Sequence, residues 1–303
     1  MELFIERRMH KQSGIALIQV LLISTLITLL AMHFTYTARE QIAISSALEQ
    51  RAKASQKLKS VQNKIIFSLL TINDFEQESE VFPQSEPWNF YGKPFYLEQN
   101  EDTQVLIAIQ DNSGLLSQHY IKSPHWTKAF TQLGLSINEI TRKQGLIQDW
   151  QDKDKNSWII GNLEPNKLDN GQQFRNQAIQ LAQEIEWFFE DDRQKLNLLK
   201  KISTPYSVVA FNPMNAPDVL LSLYFTPEIA AEIIRQRENS LLTRSQIKDY
   251  LGSDYNDVII TLLNGTQFKI IIQINFKDVK LQETLEVQLQ PSEREPILIL
   301  ARY

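Results

Sequence analysis

Hydrophobic and polar positions change rhythm repeatedly along the chain. From Gln12 to Ala38 no side chain carries a formal charge, and from Ile15 to about His33 the run is almost wholly apolar. At 1.5 Å rise per residue, about 20 such residues cross the roughly 30 Å of a hydrocarbon core. The pattern therefore predicts a membrane-spanning helix over about residues 15–36. Neither Gly nor Pro recurs between Gly14 and Pro83, so nothing stops that helix at the membrane surface. Beyond it, Leu58, Val61, Ile65 and Leu69 recur at spacings of three and four and make one apolar stripe, opposite Arg51, Lys53, Lys57, Lys59 and Lys64. A single helix from Ile15 to about Leu70 would extend roughly 80 Å. A bitopic anchor joined to a separate coiled stalk fits the same pattern.

Asp74, Glu76, Glu78, Glu80 and Glu86 then mark an acidic connector with Pro83 and Pro87. Pro94-Phe95-Tyr96-Leu97 and Thr103 to Gln110 read as strands, with a turn at Asp111 to Gly114. From about 122 to 252 the period becomes helical. Trp126, Phe130 and Leu133 share a face between Pro124 and Gly134; Ser136 and Glu139 have capping-box spacing; Phe174, Leu181, Ile185 and Phe188 suggest a further helix. Asn215 is expected as an N-cap, Thr226-Pro227 as a helix start, and Thr243 with Gln246 as another capping box. Period two returns at Phe268, Ile270, Ile272, Ile274 and Phe276. Val258 to Leu263, reaching Asn264-Gly265, is expected to form a strand and hairpin. Leu281, Leu285, Val287 and Leu289 make another strand, and Ile297 to Ala301 a last. Strands on both sides of a helical block imply one antiparallel sheet interrupted by an insertion.

Composition narrows the function. Apolar and charged fractions of 43% and 22% suit a folded chain, and a net charge of -5 argues against a dedicated nucleic-acid binder. Without cysteine there is no disulfide, thiol nucleophile or thiolate metal site. His10, His33, His119 and His125 have no Ser or Asp partner at motif spacing, and no P-loop or dinucleotide fingerprint occurs, so no enzyme activity is expected. Asp149, Asp152, Asp154 and Asn156 bring oxygen ligands together as a hard cation would require. An EF-hand would need glycine where Ser157 stands and a bidentate Glu where Leu163 stands, and Lys153 and Lys155 reduce the local charge. A calcium site and a solvated acidic loop both remain open.

The head before the apolar run holds Arg7, Arg8, His10 and Lys11, which favours a cytoplasmic amino terminus and places the chain beyond Ala38 outside the cytoplasm. A secretory signal peptide would show a shorter apolar region and then a small-residue cleavage site. Here the small-residue break lies in front of the run, at Gly14.

A short basic leader ending in Gly14, then Ile15-Ala16-Leu17-Ile18 and a hydrophobic helix continuing into an amphipathic one, resembles the class III signal of type IV pilins and pseudopilins. The resemblance implies that a prepilin peptidase cuts after Gly14 and methylates Ile15. Most members carry Glu as the fifth mature residue. This chain has Gln19, and the member that usually lacks that Glu is the K-type minor pseudopilin of type II secretion (general secretion pathway protein K). Three further stretches resemble that family: Phe90-Tyr91-Gly92-Lys93-Pro94-Phe95 with Ile109 to Leu116, Leu146 to Asp154, and Asn212 to Ile234. The last is similar to its SAM-like repeat, which is related to helix-hairpin-helix modules. The hairpin Leu223-Tyr224-Phe225-Thr226-Pro227 has no glycine, which favours packing over phosphate contact.

The resemblance implies an α+β fold. It comprises a leader at 1–14, an amino-terminal helix at 15–72, the first part of a β-sheet at 73–121, an inserted α-helical lobe at 122–252 and closing strands at 253–303. It implies a single-pass protein of the bacterial inner membrane with its carboxy-terminal domain in the periplasm, assembled at the pseudopilus tip. The implied partners are other minor pseudopilins, the major pseudopilin, the prepilin peptidase, the inner-membrane secretion platform and the lipid bilayer, with no nucleic acid. Calcium is associated with the helical lobe in that family, which gives Asp149, Asp152 and Asp154 a candidate ligand. The alternatives are a type IV pilus minor pilin and a membrane-tethered helix-hairpin-helix protein that binds nucleic acid.

Overall fold

The structure, a computed structural model, describes residues 13–71, 87–154, 156–158, 168, 171–189 and 192–303. The basic head with Arg7, Arg8, His10 and Lys11, the acidic connector with Asp74, Glu76, Glu78, Glu80, Pro83 and Glu86, and Lys155 and Leu163 lie outside the described residues. The chain divides into two units, one up to Lys57 and one from Leu58 to Tyr303. Helix α1, Ser13–Thr71, contributes to both.

In the second unit the last turns of α1 lie on a five-stranded antiparallel sheet. Its strands are β1 (Phe95–Gln99), β2 (Thr103–Asp111), β5 (Gln267–Phe276), β6 (Val279–Ser292) and β7 (Glu295–Arg302), in the order β1-β2-β5-β6-β7. The stripe Leu58, Val61, Ile65 and Leu69 is buried against Val105, Ile107 and Ile109 of β2, Phe268, Ile270, Ile272 and Ile274 of β5, and Leu285, Val287 and Leu289 of β6. Alternation in the strands thus meets the three-and-four spacing of the helix across one core. At its rim the buried carboxylate of Glu283 takes Lys59 Nζ of α1 at 3.4 Å and the guanidinium of Arg302 of β7.

Between β2 and β5 the chain builds a second core. Helices α2 (Pro124–Gln132), α3 (Ile137–Gln151), α4 (Arg193–Ile202), α5 (Asp218–Tyr224), α6 (Pro227–Glu238) and α7 (Arg244–Leu251) surround Trp126, Phe130, Ile147, Leu220 and Ile233, among others. Strands β3 (Leu116–Ser117) and β4 (Ser203–Thr204) pair in parallel beside them. The expected local signals are used: Pro124 opens α2, Ser136 and Glu139 form a capping box, Thr226 caps α6, and Thr243 and Gln246 box α7. The described elements form an α+β arrangement, with the helical lobe inserted between adjacent strands of one sheet.

Four local expectations fail. Asn215 caps no helix: Asn212 caps the short 3-10 turn Pro213–Asn215, and Pro217 precedes α5. Residues 258–263 form no strand, because the Asn256 side chain and carbonyl capture the amides of Val258, Ile259 and Ile260 in a turn, leaving a single bridge from Ile260 to Phe211. Asn264-Gly265 makes no hairpin; the tight connection is Lys277-Asp278, where Phe276 pairs with Val279 and Lys277 takes φ 50°. The helix expected around Phe174 to Phe188 is interrupted by left-handed backbone at Asn176, and only Ala182–Phe188 coils, as a 3-10 segment.

Candidate functional site

The first unit carries the one helix among the described residues that is long and apolar enough to cross a membrane. Gly14 lies in the first turn of α1, Ile15 is 64% exposed, and Gln19 is exposed among Leu17, Ile18 and Val20. Four hydroxyls of this stretch are satisfied locally. Thr25 Oγ1 donates to the Leu21 and Leu22 carbonyls at 2.9 and 2.8 Å, and Ser24, Thr28 and Thr35 bond back in the same way. Hydroxyls satisfied inside their own helix can enter hydrocarbon without leaving an unpaired donor. Gln19 brings an amide that donates and accepts but carries no charge.

The acidic loop is organised by protein donors. Asp149 lies in the last turns of α3, not in a loop, and is fully buried; its Oδ1 accepts the Trp158 N–H at 2.9 Å and its Oδ2 the Ser157 hydroxyl at 3.1 Å. Burial pushes its carboxyl up, and those two hydrogen bonds oppose the shift. Asp152 Oδ2 accepts the Trp158 indole N–H at 2.8 Å, while its buried Oδ1 accepts no bond from the described residues. Asp154 Oδ1 accepts the Asn156 N–H at 2.7 Å. Lys122 Nζ sits 3.1 Å over the Trp158 ring with its charge toward Asp149 and Asp152, and burial lowers its pKa against their pull. The chain's own ammonium thus faces these carboxylates. Among the described residues no group of three or more Asp, Glu or His side chains is placed to hold a metal ion.

The junction of lobe and sheet is built on one carboxylate. Asp111, at the end of β2, is fully buried; its Oδ1 accepts the Ser113 N–H at 2.8 Å. Its Oδ2 accepts the Ser113 hydroxyl at 2.6 Å, Asn215 Nδ2 at 2.7 Å and the Gly265 N–H at 2.8 Å. It therefore ties the chain leaving the sheet, the chain returning to it and the turn before α5. Burial raises its pKa, and the Gly265, Ser113 and Asn215 donors hold the rise back. Beside it, Gln110 Nε2 donates to the Asn215 carbonyl at 3.0 Å, and Asn212 N donates to the Ser113 carbonyl at 2.7 Å. A second tie comes from α6. The Arg237 guanidinium lies 3.6 Å over the Tyr91 ring, donates to the Met214 and Ala216 carbonyls at 3.1 and 2.7 Å, and pairs with Asp218.

An antiparallel sheet packed on the last turns of α1, with a helical lobe between its second and third strands in spatial order, has a counterpart among solved structures. The chain is similar to one chain of the crystal structure of the GspK-GspI-GspJ complex from the enterotoxigenic Escherichia coli type 2 secretion system, with a TM-score of 0.53 and 13% identity. The likeness covers 88% of this chain and 98% of that one. No family model matches the sequence, and no curated protein matches it. The fold is that of a pseudopilin.

Within that fold the junction residues do not stand out as a group in the sequence. Asp111 reads there as the first residue of a turn, and the turn is present, as a 3-10 segment Asn112–Gly114 capped by Asp111. Its burial is what sequence spacing does not reveal. A signal exists in the glycines: Gly114 and Gly265 both have φ outside the left-handed region, so close approach, not turn geometry, requires them.

Proposed function

We propose that the chain is a K-type minor pseudopilin of a type II secretion system. In this reading it is inserted in the bacterial inner membrane through the helix around residues 15–36, cut by a prepilin peptidase after Gly14 and methylated at Ile15. It is then assembled at the tip of a periplasmic pseudopilus that supports export of folded proteins. One observation carries the reading: an antiparallel sheet packed on the last turns of α1 and interrupted by a helical lobe, in a chain whose likeness covers 98% of a chain from a secretion complex. That complex supports other minor pseudopilins as partners, beside the major pseudopilin and the membrane platform.

The work of such a subunit is assembly, not bond chemistry. Related pilins carry Glu where Gln19 stands, and that Glu is understood to pair with the amino terminus of a neighbouring subunit. Gln19 can hydrogen-bond an amine but cannot neutralise it, so an ammonium buried beside it would remain unpaired in lipid. That disfavours docking onto a subunit above and suits a terminal position, where the lobe also obstructs stacking. The loop between α5 and α6 gives no support to the nucleic-acid alternative. Pro227 has no N–H there and the Ile229 N–H is given to Thr226 Oγ1 at 3.5 Å, so two of the positions that could offer an amide to a phosphate do not.

Mass analysis of the membrane-extracted protein tests the reading. The expected mature start is N-methylated Ile15. An intact amino-terminal head, or a cut after the apolar run, would sink it.

A further inference from the structure

The Asn264–Gly265 peptide bond lies where the lobe returns to β5, with Asn264 exposed. Asparagine followed by glycine is the pair most prone to deamidation, because nothing hinders the glycine nitrogen from attacking the asparagine side chain. Here packing imposes the glycine. A Cβ on residue 265 would stand 2.7 Å from Asp111 Oδ1 and 3.1 Å from Ser113 Cβ, so only glycine admits the carboxylate to the backbone N–H. Both reacting ends are held. The Gly265 N–H is donated to Asp111 Oδ2 at 2.8 Å, and Asn264 Oδ1 accepts from Asn215 Nδ2 at 2.9 Å. Removing that proton would set an amide anion against a buried carboxylate, and attack would need the Asn264 amide to leave Asn215.

We propose that Asn264–Gly265 is a deamidation site guarded by Asp111, which reacts only when the junction of lobe and sheet opens. On opening, the Gly265 nitrogen gives its proton to solvent hydroxide and bonds to Asn264 Cγ, and the side-chain nitrogen takes a proton from water and leaves as ammonia, regenerating the hydroxide. Water then opens the cyclic imide to aspartate or isoaspartate. The new carboxylate faces Asn215 Nδ2, the nitrogen that already serves Asp111, and brings a second negative charge to a site holding a buried one. Isoaspartate also lengthens the backbone between two anchored points. The junction cannot close as before, so the modification makes a transient opening permanent.

The test uses the full chain in detergent, incubated at mildly alkaline pH, with aspartate and isoaspartate at position 264 measured by peptide mapping. Asn239–Ser240, exposed at the end of α6, serves as an internal clock. The wild type should deamidate at 264 far more slowly than the chain unfolded in urea. Asp111→Asn should raise the rate at 264 by about tenfold, the factor that ~1.4 kcal/mol represents, with Asn239 unchanged. Asn215→Ala frees the Asn264 side chain but leaves the carboxylate on Gly265, and should raise the rate less. Three outcomes would overturn the proposal: a folded rate at 264 equal to the unfolded one, a rise with Asn215→Ala as large as with Asp111→Asn, or no rise with Asp111→Asn. An equal rise at 264 and 239 would mark loss of the whole fold and overturn the guarding role as well.

Discussion

His125 enters the lobe core in the first turn of α2 with both ring nitrogens engaged. Nε2 lies 3.1 Å from the Ile259 carbonyl, which can only accept, so Nε2 carries the proton and Nδ1 accepts the Tyr224 hydroxyl at 2.9 Å. Burial lowers the imidazole pKa from its ordinary 6.5; the Ile259 carbonyl opposes that and Lys128 adds to it. The Tyr224 phenol is pushed up by burial to about 12, so it remains a donor throughout the physiological range. Below about pH 6.5 the unfolded chain protonates His125 and the folded chain does not, so this residue's contribution is complete above that pH and falls as pH drops beneath it, by at most about 1.4 kcal/mol per pH unit. Urea midpoints measured from neutral pH downward should show that loss in the wild type and a shallower one in His125→Gln; parallel curves would refute it. In the sequence His125 directly follows Pro124, the expected first-turn residue of that helix. Its core role is hidden there because its partners lie 99 and 134 positions away.

At the scale of elements, signals that depend on near neighbours hold. The Leu58 to Leu69 stripe, the alternation of β5 and the capping boxes at Ser136 and Thr243 are all set within a few residues, and each stands where its spacing puts it. Asn215 and Asn264-Gly265 depart from their local signals because their partners belong to the other end of the insertion: Asp111 is 104 positions from Asn215 and 154 from Gly265. The cap motif and the hairpin signal are both sound on local chemistry, and a buried carboxylate overrides them. The Asn112–Gly114 turn shows how tightly this junction is packed. A Cβ on Gly114 would lie 2.0 Å from the Asn215 carbonyl oxygen and 2.3 Å from its carbon, so backbone must move. Gly114→Ala should cost about 3 kcal/mol or more by denaturant unfolding. Gly134→Ala, at φ +81° with nothing within 4 Å, should cost only the left-handed backbone penalty of about 1 kcal/mol. Equal losses would mean that the junction yields, and would contradict the close approach.

For the whole molecule, the two cores have separate origins in the sequence: period two and the helical stripe build one, and the capped short helices build the other. The insertion between β2 and β5 is therefore legible as a change of period, while the ties that join the cores are not. On the proposed reading the amino-terminal helix decides where in a filament such a body is placed, and Gln19 is the residue that distinguishes this helix from those of shaft subunits. The consequence can be tested by one substitution. Gln19→Glu restores a carboxylate able to neutralise the amine of a neighbouring amino terminus, and the variant is expected to move from the filament end into the shaft. Because the chain has no cysteine, single cysteines placed on exposed positions of α1, such as Ile42 or Leu48, report neighbours by disulfide cross-linking without background. Cross-links to the major pseudopilin on both sides of the variant, where the wild type shows them on one side, are the expected result. An unchanged pattern would remove the charge at position 19 as the cause of terminal placement and leave the bulk of the lobe as the obstruction to further stacking.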